Sequence, residues 1–162
     1  MKIINNILEI ELNDGAIFEV DDISLIREED EYGGYRVSLT VKIDNMRESF
    51  HFDVATGDPI TPKEIDYNYS PIIGKKTIKV LTYNLETVLA EKLETILTRG
   101  EKNSRMKDFY DVYLIMALKK DELNLKHLEQ AVYNTFKKRN FTSDVENILT
   151  SISDSKILKI KW

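Results

Sequence analysis

The chain has 162 residues, 42% of them hydrophobic and 31% charged, with a formal net charge of −5; that is enough apolar content for one buried core and too much for a disordered polypeptide. It contains no cysteine, which excludes disulfides and thiolate metal sites, and no apolar run approaches the roughly 20 residues of a membrane span. The opening residues lack the apolar stretch of a signal peptide, so the expected location is cytoplasmic.

In chain order, Met1–Leu8 reads as the last turns of a helix. Five extended stretches follow, around Leu8–Leu12, Ile17–Val20, Ser24–Glu28, Tyr35–Ile43 and Glu48–Val54, separated by N-D-G, Y-G-G and D-N-M turn signals. Residues 56–76 hold all three prolines, Pro59, Pro62 and Pro71, and read as an irregular connection before a short strand at Thr77–Leu81. Helical periodicity then takes over, with two closely spaced helices after Asn84 and two more at Leu125–Arg139 and Ser143–Ser155. Strands followed by helices indicate an α+β fold, an antiparallel or mixed N-terminal sheet and a C-terminal helical bundle, divided into residues 1–82 and 83–162. Charge follows the same division: residues 1–72 carry sixteen acids and six bases, and residues 73–162 carry twelve acids and seventeen bases. An acidic front half suits a metal-facing lobe or a basic partner better than nucleic-acid phosphates. Lys137, Lys138 and Arg139 read first as a basic last turn complementing a helix dipole, and only weakly as a contact for nucleic acid.

Leu85, Val88, Leu89, Leu93, Ile96 and Leu97 recur at the spacing of a helix with one buried face. Asn84 is its expected N-cap and Gly100 its stop. Lys92 falls on the same stripe, with Arg99 seven residues further on. The next helix, starting after Asn103 or Ser104, is apolar almost all round from Phe109 to Leu118, as a buried helix would be. It carries Asp108 and Asp111 three residues apart. Asp111 shares its side with Leu114, Ile115 and Leu118, so it is the acid expected to leave water and to need a cation, with Lys92, Arg99 and Arg105 as candidates. On residue pattern alone, these charges fit a structural ion-pair network between helices as well as they fit a binding site. Earlier in the chain, Phe50, Phe52 and Val54 alternate with His51, Asp53 and Ala55, so a strand would place Asp53 opposite the phenylalanines. By itself, such an aspartate reads as a solvent-facing residue or a cap of the T-G-D-P turn. His51 and His127 stand in no metal-ligand spacing.

The string A-E-K-L-x-x-I-L-x-R, Ala90 to Arg99, followed by R-M-K-D-F-Y-D-V-Y, Arg105 to Tyr113, resembles the C-terminal signature of the AbiEii/AbiGii nucleotidyltransferase toxins, members of the DNA polymerase beta-like nucleotidyltransferases. The resemblance implies functional roles for Lys92 and Asp108, with Asp111 the second acid of the motif and Arg99 beside them for nucleotide binding. The stretch R-E-S-F-H-F-D-V-A-T-G-D-P-I-T-P, Arg47 to Pro62, is similar to the family's strand bearing the third metal-binding carboxylate, which maps to Asp53. A nucleoside triphosphate and Mg²⁺ are the implied cofactors, a cognate antitoxin the implied partner, and an RNA hydroxyl one acceptor. The Gly-rich phosphate-cradling segment and the D-x-D pair of the family do not occur in this sequence. Asp21 and Asp22 are adjacent on a strand and point to opposite faces.

The family's chemistry displaces pyrophosphate with metal ions held by three carboxylates. Asp53 would hold the metal or take the proton of the attacking hydroxyl, and Lys92 would neutralise triphosphate charge. With one of three carboxylates present, the chain is expected to hold Mg²⁺ weakly and to be inactive alone. It reads as the C-terminal two-thirds of such an enzyme. A non-catalytic module that keeps Lys92, Asp108 and Asp111 for stability is the alternative. A sheet without its neighbours leaves an edge or apolar patch open, so a homo-oligomer through the N-terminal sheet is expected.

Overall fold

A computed structural model describes residues 2–10, 14–26, 33–72 and 76–161. The chain is α+β, with strands first and helices after, and it falls into two compact units, residues 1–57 and 58–162.

The first unit contains helix α1 (Lys2–Leu8) and the strands β1 (Ile17–Ile26), β2 (Gly34–Ile43) and β3 (Met46–Ala55), an antiparallel meander in the order β1-β2-β3. Alternation sorts its residues onto two faces. Phe18, Val20, Ile23, Leu25, Tyr35, Val37, Leu39, Val41, Phe50, Phe52 and Val54 share one face, where Phe18 and Phe50 meet edge to face at 6.3 Å. Glu19, Arg36, Thr40, Lys42, Arg47 and Asp53 share the other.

Two expected strands prove to be one. The register shifts by a residue between Val20 and Asp22, leaving Asp21 as the extra residue of a bulge. That insertion lets even-numbered Phe18 and Val20 and odd-numbered Ile23 and Leu25 all point to the apolar side. The Asp21 carboxylate accepts a hydrogen bond from the Thr40 hydroxyl at 2.7 Å. Asp44, with φ 50°, opens the two-residue β2–β3 turn, a left-handed conformation that short polar side chains tolerate. Gly34 is needed for close approach, since a Cβ there would lie 2.9 Å from the Val54 carbonyl oxygen. Of the stretch expected as a strand at Leu8–Leu12, Leu8 ends α1 and Glu9 is in a turn; residues 11 and 12, like 27–32 of the Y-G-G turn, lie outside the described residues.

The second unit begins with a hairpin of β4 (Ile65–Tyr69) and β5 (Ile78–Thr82). β4 corrects the expectation of an irregular connection: Pro62 and Pro71 bracket the alternating I-D-Y-N-Y run without interrupting it. Helices α2 (Leu85–Arg99), α3 (Met106–Leu118), α4 (Leu125–Lys138), α5 (Val145–Asp154) and α6 (Lys156–Lys161) follow. The Asn84 side chain caps α2 by accepting the Thr87 N–H, and Gly100 ends it at φ 52°, as the sequence predicts. Buried Asn84 also donates to the carbonyls of Thr61 and Lys63, at 2.9 and 2.8 Å. The Thr87 hydroxyl accepts the Thr61 N–H at 2.9 Å, and Asn134 on α4 donates to the Thr61 hydroxyl at 2.9 Å. These bonds fix residues 61–63 against α2 and α4 while satisfying groups that would be costly to bury unpaired. Leu89, Ala90, Ile96 and Leu97 of α2, Ala131 of α4 and Leu158 of α6 form the buried apolar core of this unit. Helix α3 is not the buried helix its composition suggests. Tyr110, Tyr113 and Leu118 are more than half exposed, and Asp108 is its one fully buried residue.

Candidate functional site

The stripe on α2 delivers Lys92 to the first two turns of α3. Its Nζ lies 2.7 Å from Asp108 Oδ1 and 2.8 Å from Asp111 Oδ2. Asp108 and Asp111 are three residues apart, so they line one flank of α3 and close on a single ammonium. The burial order is the reverse of the one expected from Asp111's neighbours: the Asp108 side chain is 5% exposed and that of Asp111 41%. The reason is that α3 meets α2 along its start, so the acid nearer the N-terminus is enclosed and the next turn faces water.

Desolvation of Lys92 favours loss of its proton, but hydrogen bonds to Asp108 and Asp111 outweigh it and hold the ammonium pKa above the ordinary lysine value. Lys92 is therefore charged at neutral pH. An ammonium has three N–H donors; two are committed here, and a lysine side chain 25% exposed can turn the third outward. The buried Asp108 Oδ2 has no hydrogen-bond partner among the described residues.

Arg99 and Arg105 do not join this cluster. Both are exposed, and Arg105 stands at the N-cap of α3, where its N–H bonds the Asn103 side chain at 2.8 Å. A hollow of about 240 Å³ beside the start of α3 is lined by Met106, Phe109, Ile152, Leu158 and Lys159, and none of the cluster's charged residues lines it.

Asp53 belongs to the first unit. It sits on the polar face of β3, opposite the phenylalanines as expected, directly across from Arg36. The guanidinium grips it fork to fork, Nε to Oδ1 at 2.8 Å and Nη2 to Oδ2 at 2.9 Å, and the pair is more than 40% exposed on each side. Both carboxylate oxygens are engaged by a cation. Among the described residues no group of three or more histidine, aspartate or glutamate side chains is placed to hold a metal ion. The described residues therefore form no all-protein cage for Mg²⁺, whose roughly six oxygens would have to come largely from water or a bound phosphate.

A second charged cluster escaped the sequence reading. Arg139, at the C-cap of α4, reaches back to α2: its Nη1 lies 2.7 Å from Glu94 Oε2, and its Nη2 3.5 Å from Asp58 and 3.8 Å from Glu91. Glu94 is buried and also accepts the Thr98 hydroxyl at 2.7 Å. Burial works against the Arg139 charge, and Glu94 restores it, leaving the guanidinium held above its ordinary pKa. Tyr83 registers the surplus of acid: burial, then the charges of Glu91 and Asp58, push its phenol pKa up. The signal for this cluster was present. Glu94 shares the helix face of Thr87, Ala90 and Leu97, a charge on a buried stripe like Lys92.

The family model of the nucleotidyl transferase AbiEii toxin, Type IV TA system, matches residues 2–162. The chain belongs to that family. The comparisons with curated proteins and with solved structures return no match. Membership agrees with the resemblance carried by the lysine and aspartate strings, and it makes this an AbiEii-family chain whose α2–α3 pair holds Lys92, Asp108 and Asp111 together. No helix among the described residues of this family member is long and apolar enough to cross a membrane.

Proposed function

We propose that the Lys92–Asp108–Asp111 cluster is the nucleotide-facing site of this AbiEii-family chain, with Lys92 contacting a triphosphate and Asp108 positioning it. The observation carrying this reading is the partly exposed ammonium fixed by two carboxylates, one of them enclosed. Asp108 sets where the ammonium stands, Asp108 and Asp111 together keep it protonated, and the remaining N–H is available to a phosphate oxygen. Two carboxylates against one lysine leave the cluster at −1, so unaided binding of a triphosphate is weak, on the order of millimolar. With one of the family's three metal-binding carboxylates present, and that one paired with Arg36, the chain alone is expected to be inactive in nucleotidyl transfer. The expected setting is cytoplasmic, with a cognate antitoxin as partner and an RNA hydroxyl as one acceptor; self-association through the N-terminal sheet belongs to the same reading.

A second reading, a non-catalytic module, is favoured by the same saturation of charge: both acids and the lysine satisfy one another without a ligand. Calorimetric titration with each nucleoside triphosphate and Mg²⁺, beside the Lys92→Ala variant, separates the two. Binding at millimolar concentration that the variant loses supports the nucleotide site. No binding of any triphosphate leaves the cluster as a structural pin.

A further inference from the structure

The sheet of the first unit has two edges, and they differ. β1 carries a bulge at Asp21 and adjacent acids at Asp21 and Asp22, both devices that discourage a further strand. β3 has neither. All ten of its residues pair in unbroken register with β2, all ten are exposed, it contains no proline, and among the described residues it has no strand on its outer side. Its apolar side continues a face on which Leu25, Tyr35, Phe50, Phe52 and Val54 are 40 to 54% exposed.

We propose that β3 pairs with β3 of a second copy of this chain, antiparallel across a two-fold axis at Phe50, to give a continuous six-stranded sheet. The sequence of the strand restricts the register. In an antiparallel pair, directly opposite residues share a face. Two copies therefore keep their apolar sides together only when an even-numbered residue of one copy faces an even-numbered residue of the other. Four such registers retain most of the strand, centred on Ser49, Phe50, His51 or Phe52. Centring on Ser49 sets Arg47 against His51 of the other copy, centring on His51 sets Asp53 against Ser49, and centring on Phe52 sets Asp53 against His51. Only the Phe50 register matches opposite charges, placing Arg47 against Asp53 twice by symmetry. On the apolar face it brings Met46 against Val54, Glu48 against Phe52 and Phe50 against its own copy.

The charges are ready for this. The Arg47 side chain is 65% exposed, with its nearest acid, Glu19, at 3.5 Å. Asp53 already holds Arg36, and a carboxylate accepts more than two hydrogen bonds, so each joint carries an Arg36–Asp53–Arg47 row across three strands. Doubling the sheet also extends its apolar face across the joint.

The native chain has no cysteine, so a single introduced thiol reports the register. Under mild oxidation Phe50→Cys gives a disulfide-linked dimer at least about tenfold faster than His51→Cys, since only the residue on the axis meets itself at direct cross-strand distance. In sedimentation equilibrium from about 1 to about 200 µM, the range of modest interfaces, the wild-type chain approaches twice its 18.9 kDa mass. Arg47→Glu, which opposes like charges at both joints, weakens the dimer at least about tenfold. Circular dichroism checks that each variant is folded, and if Phe50→Cys is not, sedimentation of wild type and Arg47→Glu decides alone. A wild-type monomer throughout, faster linkage at position 51, or indifference to Arg47→Glu overturns the proposal. None of these outcomes depends on nucleotide binding at Lys92.

Discussion

Helix α2 carries a charged cluster on each of two flanks, and the two are built in opposite senses. Toward α3 it supplies the cation, Lys92, to the acids Asp108 and Asp111; toward the end of α4 it supplies the acids Glu91 and Glu94 to the cation Arg139. Each cluster has one enclosed carboxylate, Asp108 or Glu94. They differ in the cation. A guanidinium spreads its charge over a planar fork and can satisfy several acids from fixed geometry, whereas an ammonium is a compact, movable charge with a donor to spare. The Arg139 cluster thus has the geometry of a helix fastener, whereas the Lys92 cluster leaves one ammonium donor uncommitted.

Breaking the Arg139 cluster has the largest expected effect. Arg139→Met leaves Glu94 enclosed without its cation and is expected to cost about 3 kcal/mol. For a chain of this length, that lowers the melting temperature by about 6–12 °C, as thermal denaturation would show. Lys92→Met also strips an enclosed acid, Asp108, but Asp111 is free to turn to water. A loss of about 2 kcal/mol is expected, with Asp108→Asn in the Lys92→Met background recovering part of it. An unchanged melting temperature in Lys92→Met would mean that the lysine contributes nothing to folding and stands there for a ligand alone.

The comparison is sharpened by pH. Lys92 has its pKa raised in the folded state above the ordinary 10.5, desolvation being outweighed by its bonds to Asp108 and Asp111. A raised pKa means that the folded state holds the proton more tightly, so the stability it contributes is fully present below about pH 10.5 and is lost as pH rises through the folded value. Denaturant titrations should show a constant gap between wild type and Lys92→Met from pH 7 to about 10, closing above that. Arg139 stays protonated over the whole range, so the gap between wild type and Arg139→Met should not close in the same way.

The sequence made the helix pair legible because each feature was local: Asn84 as cap, Gly100 as stop, and a stripe interrupted by Lys92. It placed Lys92, Asp108 and Asp111 together correctly, but it could not say which acid was enclosed, since that depends on where α2 crosses α3. Composition misled on α3, whose apolar residues surround the helix although one side is covered only as far as Ile115 and Tyr110, Tyr113 and Leu118 stay exposed. The single strand β1 was hidden by the bulge at Asp21, which breaks strict alternation, and β4 by the prolines around it. Glu94 stood on the buried stripe of α2 as Lys92 does, but its partner Arg139 lies 45 positions away, and local periodicity does not name a partner that distant.

The smallest effect tests the role of Asp53. In the first unit the Arg36–Asp53 pair is bidentate yet exposed, and water and salt screen it. Asp53→Asn should therefore cost less than about 1 kcal/mol, in contrast to the enclosed carboxylates of the second unit. The informative variant is Arg36→Met, which releases both Asp53 oxygens from the guanidinium. One carboxylate supplies at most two of the roughly six oxygens Mg²⁺ requires, so Arg36→Met should give no Mg²⁺-dependent rise in melting temperature at millimolar ion. A rise in Arg36→Met that Asp53→Asn abolishes would show that other oxygens converge on the site and that Arg36 is what keeps the ion out. The fork-to-fork pair would then be the resting state of a metal site, and the contrast between exposed and enclosed acids would no longer separate structure from function in this chain.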